Sequence, residues 1–334
     1  MPNIAINGFG RIGRSTLKAG FEKAGFNVVA INDLADTKTL AYLLKHDTSY
    51  GTYAKDVSFD EHHVIVDGKK ILVLAEKDPA LLPWKKMKVD VVLECTGRFT
   101  DKEGASKHLQ AGAKGVIISA PAKGGGVPTY IIGVNEKLAG KESTVMNMAS
   151  CTTNCITPVA AIMEEAFGIA KAMMTTIHAY TTDQGVQDAP NHDLRRGRAA
   201  AENIIPTTTG AAIAAGEVIP SLKGFFDGLA IRVPVAVGSL SDFTFLLKKK
   251  TTVEAVNVAL IKASKQARWH GILEVTNEPI VSSDIVGNPV SAIVDLSLTK
   301  VVDGDMVKII AWYDNEWGYS NRLAELALYA AGQF

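Results

Sequence analysis

The segment Ser150-Cys151-Thr152-Thr153-Asn154-Cys155 sets a thiol at the start of a helical pattern, with polar capping residues on either side. A thiolate at that place is stabilised by the positive end of the helix and its unpaired N–H groups, and a neighbouring imidazolium lowers its pKa further. Cys151 is therefore the candidate nucleophile. Cys155, one turn on, falls on the interior side of the same stretch and reads as a small buried residue. The C-x-x-x-C spacing fits neither a thioredoxin-type pair nor a zinc ligand set, so no metal is expected.

A thiol of this kind needs a base. Most of the seven histidines stand in charged, solvated surroundings. His178 differs: it ends the apolar run Met173 to Ile177 and leads into Tyr180-Thr181-Thr182-Asp183, which presents its ring at a strand end. A structural histidine is the alternative. A second chemical pattern lies at the other end of the chain. Gly8-Phe9-Gly10-Arg11-Ile12-Gly13 follows a strand-like run and opens a helix, the context in which G-x-G-x-x-G binds a dinucleotide. The first glycine permits the turn, the second lets backbone approach a pyrophosphate, and the third lets helix pack on strand. Asp33, about 20 residues on, can accept from both ribose hydroxyls and repels a 2′-phosphate, favouring NAD over NADP.

The elements that position these groups follow from the apolar pattern. Ile4 to Ile6, an amphipathic helix over 11–24 and Val28 to Ile31 make a β-α-β opening. Asp67-Gly68 turns a hairpin between His63–Val66 and Ile71–Leu74. Strands at Val89–Glu94 and Val116–Ser119 flank a helix at Lys102–Ala111. The repetition predicts an α/β fold: a Rossmann-type doubly wound parallel sheet. After about Ser150 a helix at Thr152–Phe167 precedes longer strands near Met173–Ile177, Gly228–Val237 and Asp242–Leu247, an α+β texture. The expected division is 1–150 for a dinucleotide-binding domain and 151–316 for a catalytic domain. A last helix over 317–334, with Leu323, Leu326, Ala327 and Ala330 in a stripe, is expected to pack back onto the first.

Composition agrees with a soluble enzyme. Lys plus Arg and Asp plus Glu both total 35, so no net field draws the chain to nucleic acid or an anionic membrane. Three cysteines, Cys95, Cys151 and Cys155, are too few for a disulfide framework in 334 residues and suit a reducing compartment. No signal peptide opens the chain, and no run of about 18 apolar residues exists, so a cytoplasmic location is expected.

Several motifs together resemble one family. Ala-Ser-Cys-Thr-Thr-Asn-Cys at 149 to 155, Asn7 to Arg14, His178-Ala179-Tyr180-Thr181, Asp193 to Arg196, Pro206 to Gly210 and Trp312 to Tyr319 closely resemble the phosphorylating glyceraldehyde-3-phosphate dehydrogenases of glycolysis. The resemblance spans nearly the whole chain. It implies a Rossmann domain, a catalytic α+β domain and usually a homotetramer. It also implies that Cys151 attacks the aldehyde of glyceraldehyde 3-phosphate, that His178 is the base, and that inorganic phosphate cleaves the thioester. By the same resemblance the substrate phosphate meets Thr181, Arg232 and a supporting Asp183, and the attacking phosphate meets Ser150, Thr152, Arg196, Thr209 and Gly210. On the cofactor side, Gly8, Gly10 and Gly13 shape the turn. Arg11 and Ile12 lie against the pyrophosphate of NAD, Asp33 takes the ribose, Lys77 and Ser119 line the cleft, Asn315 orients the carboxamide and Tyr319 backs the ring.

Departures from the family pattern are few. Thr182 stands where many relatives have Asn, Val235 to Gly238 replace a more polar stretch, and Ala189 replaces a bulkier aliphatic residue, which leaves some tolerance of NADP open. An erythrose-4-phosphate dehydrogenase would use the same fold and thiol, although Thr181 and Thr207 to Gly210 favour the three-carbon substrate. A non-catalytic nucleotide-binding protein would have no need of Cys151 and His178 together, and a redox-sensing thiol protein gives no reason for Arg196, Thr209 and Arg232.

Overall fold

The computed structural model describes residues 1–334. By internal contacts they form two compact units, Met1–Ala149 with Ser320–Phe334, and Ser150–Tyr319. No helix is long and apolar enough to cross a membrane.

The first unit opens with β1 (Asn3–Asn7), α1 (Arg11–Phe21) and β2 (Asn27–Asn32), followed by α2 (Thr37–Lys45) and a small ribbon of β3 (His46–Asp47) and β4 (Gly51–Thr52). Then come β5 (Val57–Phe59), β6 (His63–Val66), β7 (Lys69–Leu74), α3 (Trp84–Met87), β8 (Val91–Glu94), α4 (Lys102–Gln110), β9 (Gly115–Ile118) and β10 (Val145–Asn147). Their sheet runs β10-β9-β8-β1-β2-β7-β6-β5. The six strands from β10 to β7 are parallel, and β6 and β5 add an antiparallel edge. Counted along the chain, the parallel strands lie in the order 3-2-1-4-5-6 of the doubly wound dinucleotide fold, whose switch point falls between β1 and β8. Strands β8 and β9 have no exposed residue and are apolar but for Glu94 at the end of β8, as expected of central parallel strands covered on both faces.

The second unit contains α5 (Cys151–Phe167), β11 (Ile169–Ala179), β12 (Ile205–Thr208), α6 (Ala211–Val218), β13 (Phe226–Val233), β14 (Ser239–Leu247), α7 (Val253–Ser264), β15 (Leu273–Thr276), β16 (Ala292–Val302) and β17 (Met306–Tyr313). The sheet order is β12-β13-β11-β14-β17-β16-β15, mostly antiparallel. Alternation along β11 sends Ala172, Met174, Thr176 and His178 to the buried side, and Lys171 and Met173 to the open side. The final helix, α8 (Trp317–Ala331), begins where expected but stops three residues short of 334, and from Ser320 onward it belongs to the first unit. There Lys23 pairs with Glu325 at 3.0 Å.

Among the boundaries that differ from the sequence reading, three have plain physical causes. Helix α1 stops at Phe21, because the chain tightens into a turn from Lys23 N to Gly20 O and then takes a left-handed step at Gly25. Strand β13 ends at Val233, since Pro234 has no N–H for the ladder. Strand β11 extends well beyond Met173–Ile177 because it lies between two paired neighbours, β13 and β14.

Candidate active site

The glycine turn connects β1 to α1. Gly8 has φ +90° and a Cβ there would stand 2.7 Å from Thr96 N; at Gly13 it would stand 2.2 Å from Gly8 O. Both places are closed to any side chain. Gly10 is different, since a Cβ would meet nothing within 4 Å. It is also the N-cap of α1 and offers no side chain to the first-turn N–H groups, which leaves the helix start open toward an anion. Beside it lies a cleft of about 590 Å³ lined by Asn7, Gly8, Gly10, Asp33, Lys77 and Thr96 among others. Asp33 is fixed there: Oδ2 accepts from Phe9 N at 2.8 Å and Oδ1 from Ala35 N at 3.0 Å. The open Gly10, the helix start and the acid at the end of β2 fit a dinucleotide.

The lining of this cleft includes only part of the expected cofactor set. Arg11 and Ile12 do not line this cleft. The Arg11 guanidinium is turned to Asp47 at 2.8 Å and over the Tyr50 ring, because a buried carboxylate is a better partner than solvent. Ser119 follows β9, its N–H donating to Glu94 O at 3.0 Å, and is also absent from the cleft lining. Asn32, Thr96, Arg98 and Phe99 line the cleft and escaped the sequence reading. Their signal was positional: Asn32 ends β2, and the other three follow β8, at the carboxyl ends of the sheet.

In the second unit, Ser150 caps α5, its Oγ accepting from Thr153 N at 3.1 Å, so Cys151 is the first helical residue. Ala149 before it holds φ +52°, a left-handed conformation that is uncommon for a residue with a side chain. Cys151 Sγ lies 3.3 Å from His178 Nε2. His178 Nδ1 lies 2.6 Å from Ala179 O, and a carbonyl can only accept, so the ring proton is on Nδ1 and Nε2 offers its lone pair to the sulfur. Burial pushes the Cys151 thiol up to about 11, with Arg232 pulling the other way, and pushes His178 down to about 4. Cys151 keeps a partly open surface, so solvent blunts that upward push. Either ion alone is disfavoured. Cys155 is wholly buried, with Sγ 4.0 Å from Ala311 O, and its thiol is pushed far up.

Next to the pair is a cationic network. Arg232, on β13, donates to Thr181 Oγ1 at 2.6 Å and Gln184 Oε1 at 3.3 Å, and lies 4.0 Å from Asp183. Arg196 donates to the other oxygen of Asp183 at 2.8 Å, to Thr207 Oγ1 at 2.9 Å and to Thr208 O at 3.1 Å. Burial works against the Asp183 charge, but the Thr181 hydroxyl and the two guanidiniums outweigh it and hold the carboxyl below its ordinary range. The structure thus brings Thr181, Asp183, Arg196 and Arg232 together. Gln184 Nε2 and Arg232 Nε are buried without a partner, two donors that an anion would satisfy. Gln184 was not singled out from sequence, although it follows Asp183 directly.

The remaining residues are less uniform. Thr209 Oγ1 accepts from Ala211 N at 3.2 Å and Gly210 is the N-cap of α6. Thr152 is buried and its hydroxyl is 2.9 Å from Tyr313 OH, which also meets Thr176 Oγ1 at 2.8 Å, so it is engaged within the protein. Asn315 Oδ1 accepts from Gly238 N at 3.1 Å and Ser239 Oγ at 3.0 Å. Its amide N–H groups are what it has left to offer. Tyr319 is buried in the same unit.

A thiol held against an imidazole, with donors for anions around it and a dinucleotide fold in the same chain, defines the class of cysteine-dependent aldehyde dehydrogenases. The comparisons with known proteins are narrower. Residues 2–102 match the family described as glyceraldehyde 3-phosphate dehydrogenase, NAD binding domain, and residues 150–315 its C-terminal domain. The chain is 52% identical over 332 residues to glyceraldehyde-3-phosphate dehydrogenase of Streptomyces coelicolor, covering 99% of this chain and 98% of that one. It is 51% identical to the protein of that name from Geobacillus stearothermophilus, over 99% and 98% of the two chains. With the Thermotoga maritima protein the identity is 53% over 97% and 98%. The chain belongs to the glyceraldehyde-3-phosphate dehydrogenase family.

Proposed function

We propose that this chain oxidises D-glyceraldehyde 3-phosphate to 1,3-bisphosphoglycerate with NAD and inorganic phosphate, as in glycolysis and its reversal. The observation that carries this is the 3.3 Å approach of Cys151 Sγ to a His178 Nε2 that has a lone pair to give. As Sγ bonds to the aldehyde carbon, its proton passes to Nε2 and on to the carbonyl oxygen, which becomes the hydroxyl of a thiohemiacetal. His178, relieved of that proton, then takes the one on the hemiacetal oxygen as the carbon loses hydride, leaving a thioester on Cys151. NAD, when bound, supplies the hydride acceptor. Phosphate attacks the acyl carbon, the C–S bond breaks and the thiol is restored.

Arg232 and Thr181, backed by Asp183, hold the substrate phosphate in this reading. Ser150, Thr152, Arg196, Thr209 and Gly210 serve the attacking phosphate. Gly8, Gly10 and Gly13, the backbone of Arg11 and Ile12, Asp33, Lys77 and Ser119 serve NAD, with Asn315 donating to its carboxamide and Tyr319 backing the ring. Residues 1–150 with the helix over 317–334 act as the NAD-binding domain, and 151–316 as the catalytic domain. The enzyme works in the cytoplasm as a homotetramer. Two surfaces support the last point. Met173, Leu229, Leu246 and Met306 stand exposed on one side of the second sheet, and Val186, Leu194 and Ile204 are more than two-thirds exposed on an irregular stretch before β12. Initial rates with glyceraldehyde 3-phosphate, with and without phosphate and with NAD or NADP, test the reading. NADH formation that is indifferent to phosphate would overturn it.

A further inference from the structure

Beneath the dinucleotide cleft lies a buried polar group that the chemistry above does not use. Glu94, at the end of β8, is 1% exposed. Its carboxylate accepts from four donors. Oε1 takes Thr96 N at 2.8 Å and the Thr96 hydroxyl; Oε2 takes Asn7 Nδ2 at 2.6 Å and meets His108 Nε2 at 3.1 Å. The wholly buried His108 is held in one tautomer. Trp84 Nε1 donates to its Nδ1 at 3.0 Å, so Nδ1 is the acceptor and the ring N–H lies on Nε2, aimed at Glu94.

The line of hydrogen bonds continues sideways. Asn7 Oδ1 accepts from Asn32 Nδ2 at 2.7 Å, and Asn32 holds the Glu76 backbone through its O at 2.8 Å and its N–H at 2.9 Å. It crosses the carboxyl ends of β8, β1 and β2, and Asn7, Asn32, Glu76 and Thr96 all line the cleft. We propose that Glu94 is a positioning residue for the dinucleotide, one that fixes Asn7 and Thr96 in the orientation the ligand meets without touching it. A group that only accepts leaves the Asn7 amide a single choice: its N–H toward Glu94 and its oxygen toward Asn32. Packing alone would be served better by an apolar side chain, since enclosing a carboxylate carries a desolvation cost that four donors must offset.

The inference rests on the cofactor reading of the cleft. Glu94→Gln keeps the shape but replaces one oxygen with NH₂, and in either amide orientation a donor then faces a fixed donor: Asn7 and His108 on one side, the Thr96 N–H on the other. Trp84→Phe keeps the carboxylate and frees the His108 tautomer. Calorimetric titration of NAD, well below the melting temperature, should give a Kd raised about tenfold or more in Glu94→Gln and by less in Trp84→Phe. Alkylation of Cys151 without NAD should keep the unmodified rate in both. A lowered melting temperature with an unchanged Kd would make Glu94 merely structural and overturn the inference. If Glu94→Gln does not fold, an unchanged Kd in Trp84→Phe overturns it instead. Failure of the unmodified protein to bind NAD is a separate result, which would remove the cofactor reading and this inference with it.

Discussion

Replacing His178 by Asn should abolish a plateau in the pH dependence of Cys151 alkylation. With the lone thiol at about 11 and the lone imidazole at about 4, moving the proton from Sγ to Nε2 costs about seven pK units, or about 10 kcal/mol. Two unit charges 3.3 Å apart return about 5 kcal/mol at an effective dielectric of about 20. The ion pair thus stands about 5 kcal/mol above the neutral pair, a population on the order of one in several thousand. Because the proton stays within the pair, that population does not vary with pH between the two titrations. Thiolate without imidazolium overtakes it only near about pH 7, and above that the rate climbs toward the thiol's own titration. In His178→Asn there is no acceptor, so reactivity toward a neutral reagent should fall about tenfold per pH unit throughout the neutral and acid range. At about pH 5 the unmodified enzyme should be ahead by about a hundredfold. Solvent on the open side of Cys151 raises both curves but creates no plateau. Rates with iodoacetamide from acid to alkaline pH, on both proteins without substrate, decide the matter. A plateau that survives in His178→Asn, or none in the unmodified protein, would refute the reasoning; turnover of the variant should drop about 10²- to 10⁴-fold.

Other expectations follow from the same geometry. Cys151→Ser should eliminate turnover while calorimetry still detects NAD, whereas Cys155→Ala, which removes only a buried thiol, should retain most activity; equal losses in the two would exclude Cys151 as sole nucleophile. Asp33→Gly should shift the ratio of kcat/KM for NAD and NADP toward NADP, and an unaltered ratio would exclude a role in ribose recognition. Gly10→Ala, with open space around its Cβ, should fold with an unchanged melting temperature and bind NAD more weakly. Gly13→Ala, whose Cβ would sit 2.2 Å from Gly8 O, should instead lose several degrees of melting temperature or fail to fold, and similar behaviour of the two would contradict the division of labour in the turn.

What could be read in the sequence was what depends on near neighbours. The turn from β1 to α1, the capped start of α5 and the stripe on α8 are each decided within a few residues, and periodicity located them. The doubly wound class followed from their repetition. Contacts between distant positions left no such trace. Asn7 and Glu94 are 87 positions apart and Thr152 and Tyr313 are 161 apart, so neither the network under the cleft nor the diversion of the Thr152 hydroxyl could be inferred from spacing. The Arg11 guanidinium shows the same limit: its partner Asp47 lies 36 positions on, and no local pattern links the two.

The division of α8 between the units has a consequence for how the chain is made. The first sheet is synthesised early, yet Ser320–Phe334 belong to its unit and are made only after the whole second unit. The approach of Leu328 to Gly25, the pairing of Lys23 with Glu325, and the contact of Phe334 at Gly115 are all unmade until then. At about 5–20 residues per second, the intervening second unit imposes a wait of roughly ten to thirty seconds. During it the nascent first unit lacks the buried Leu323, Leu326, Ala327 and Ala330 of α8, and the apolar surface left uncovered is open to capture by a chaperone or by another nascent copy.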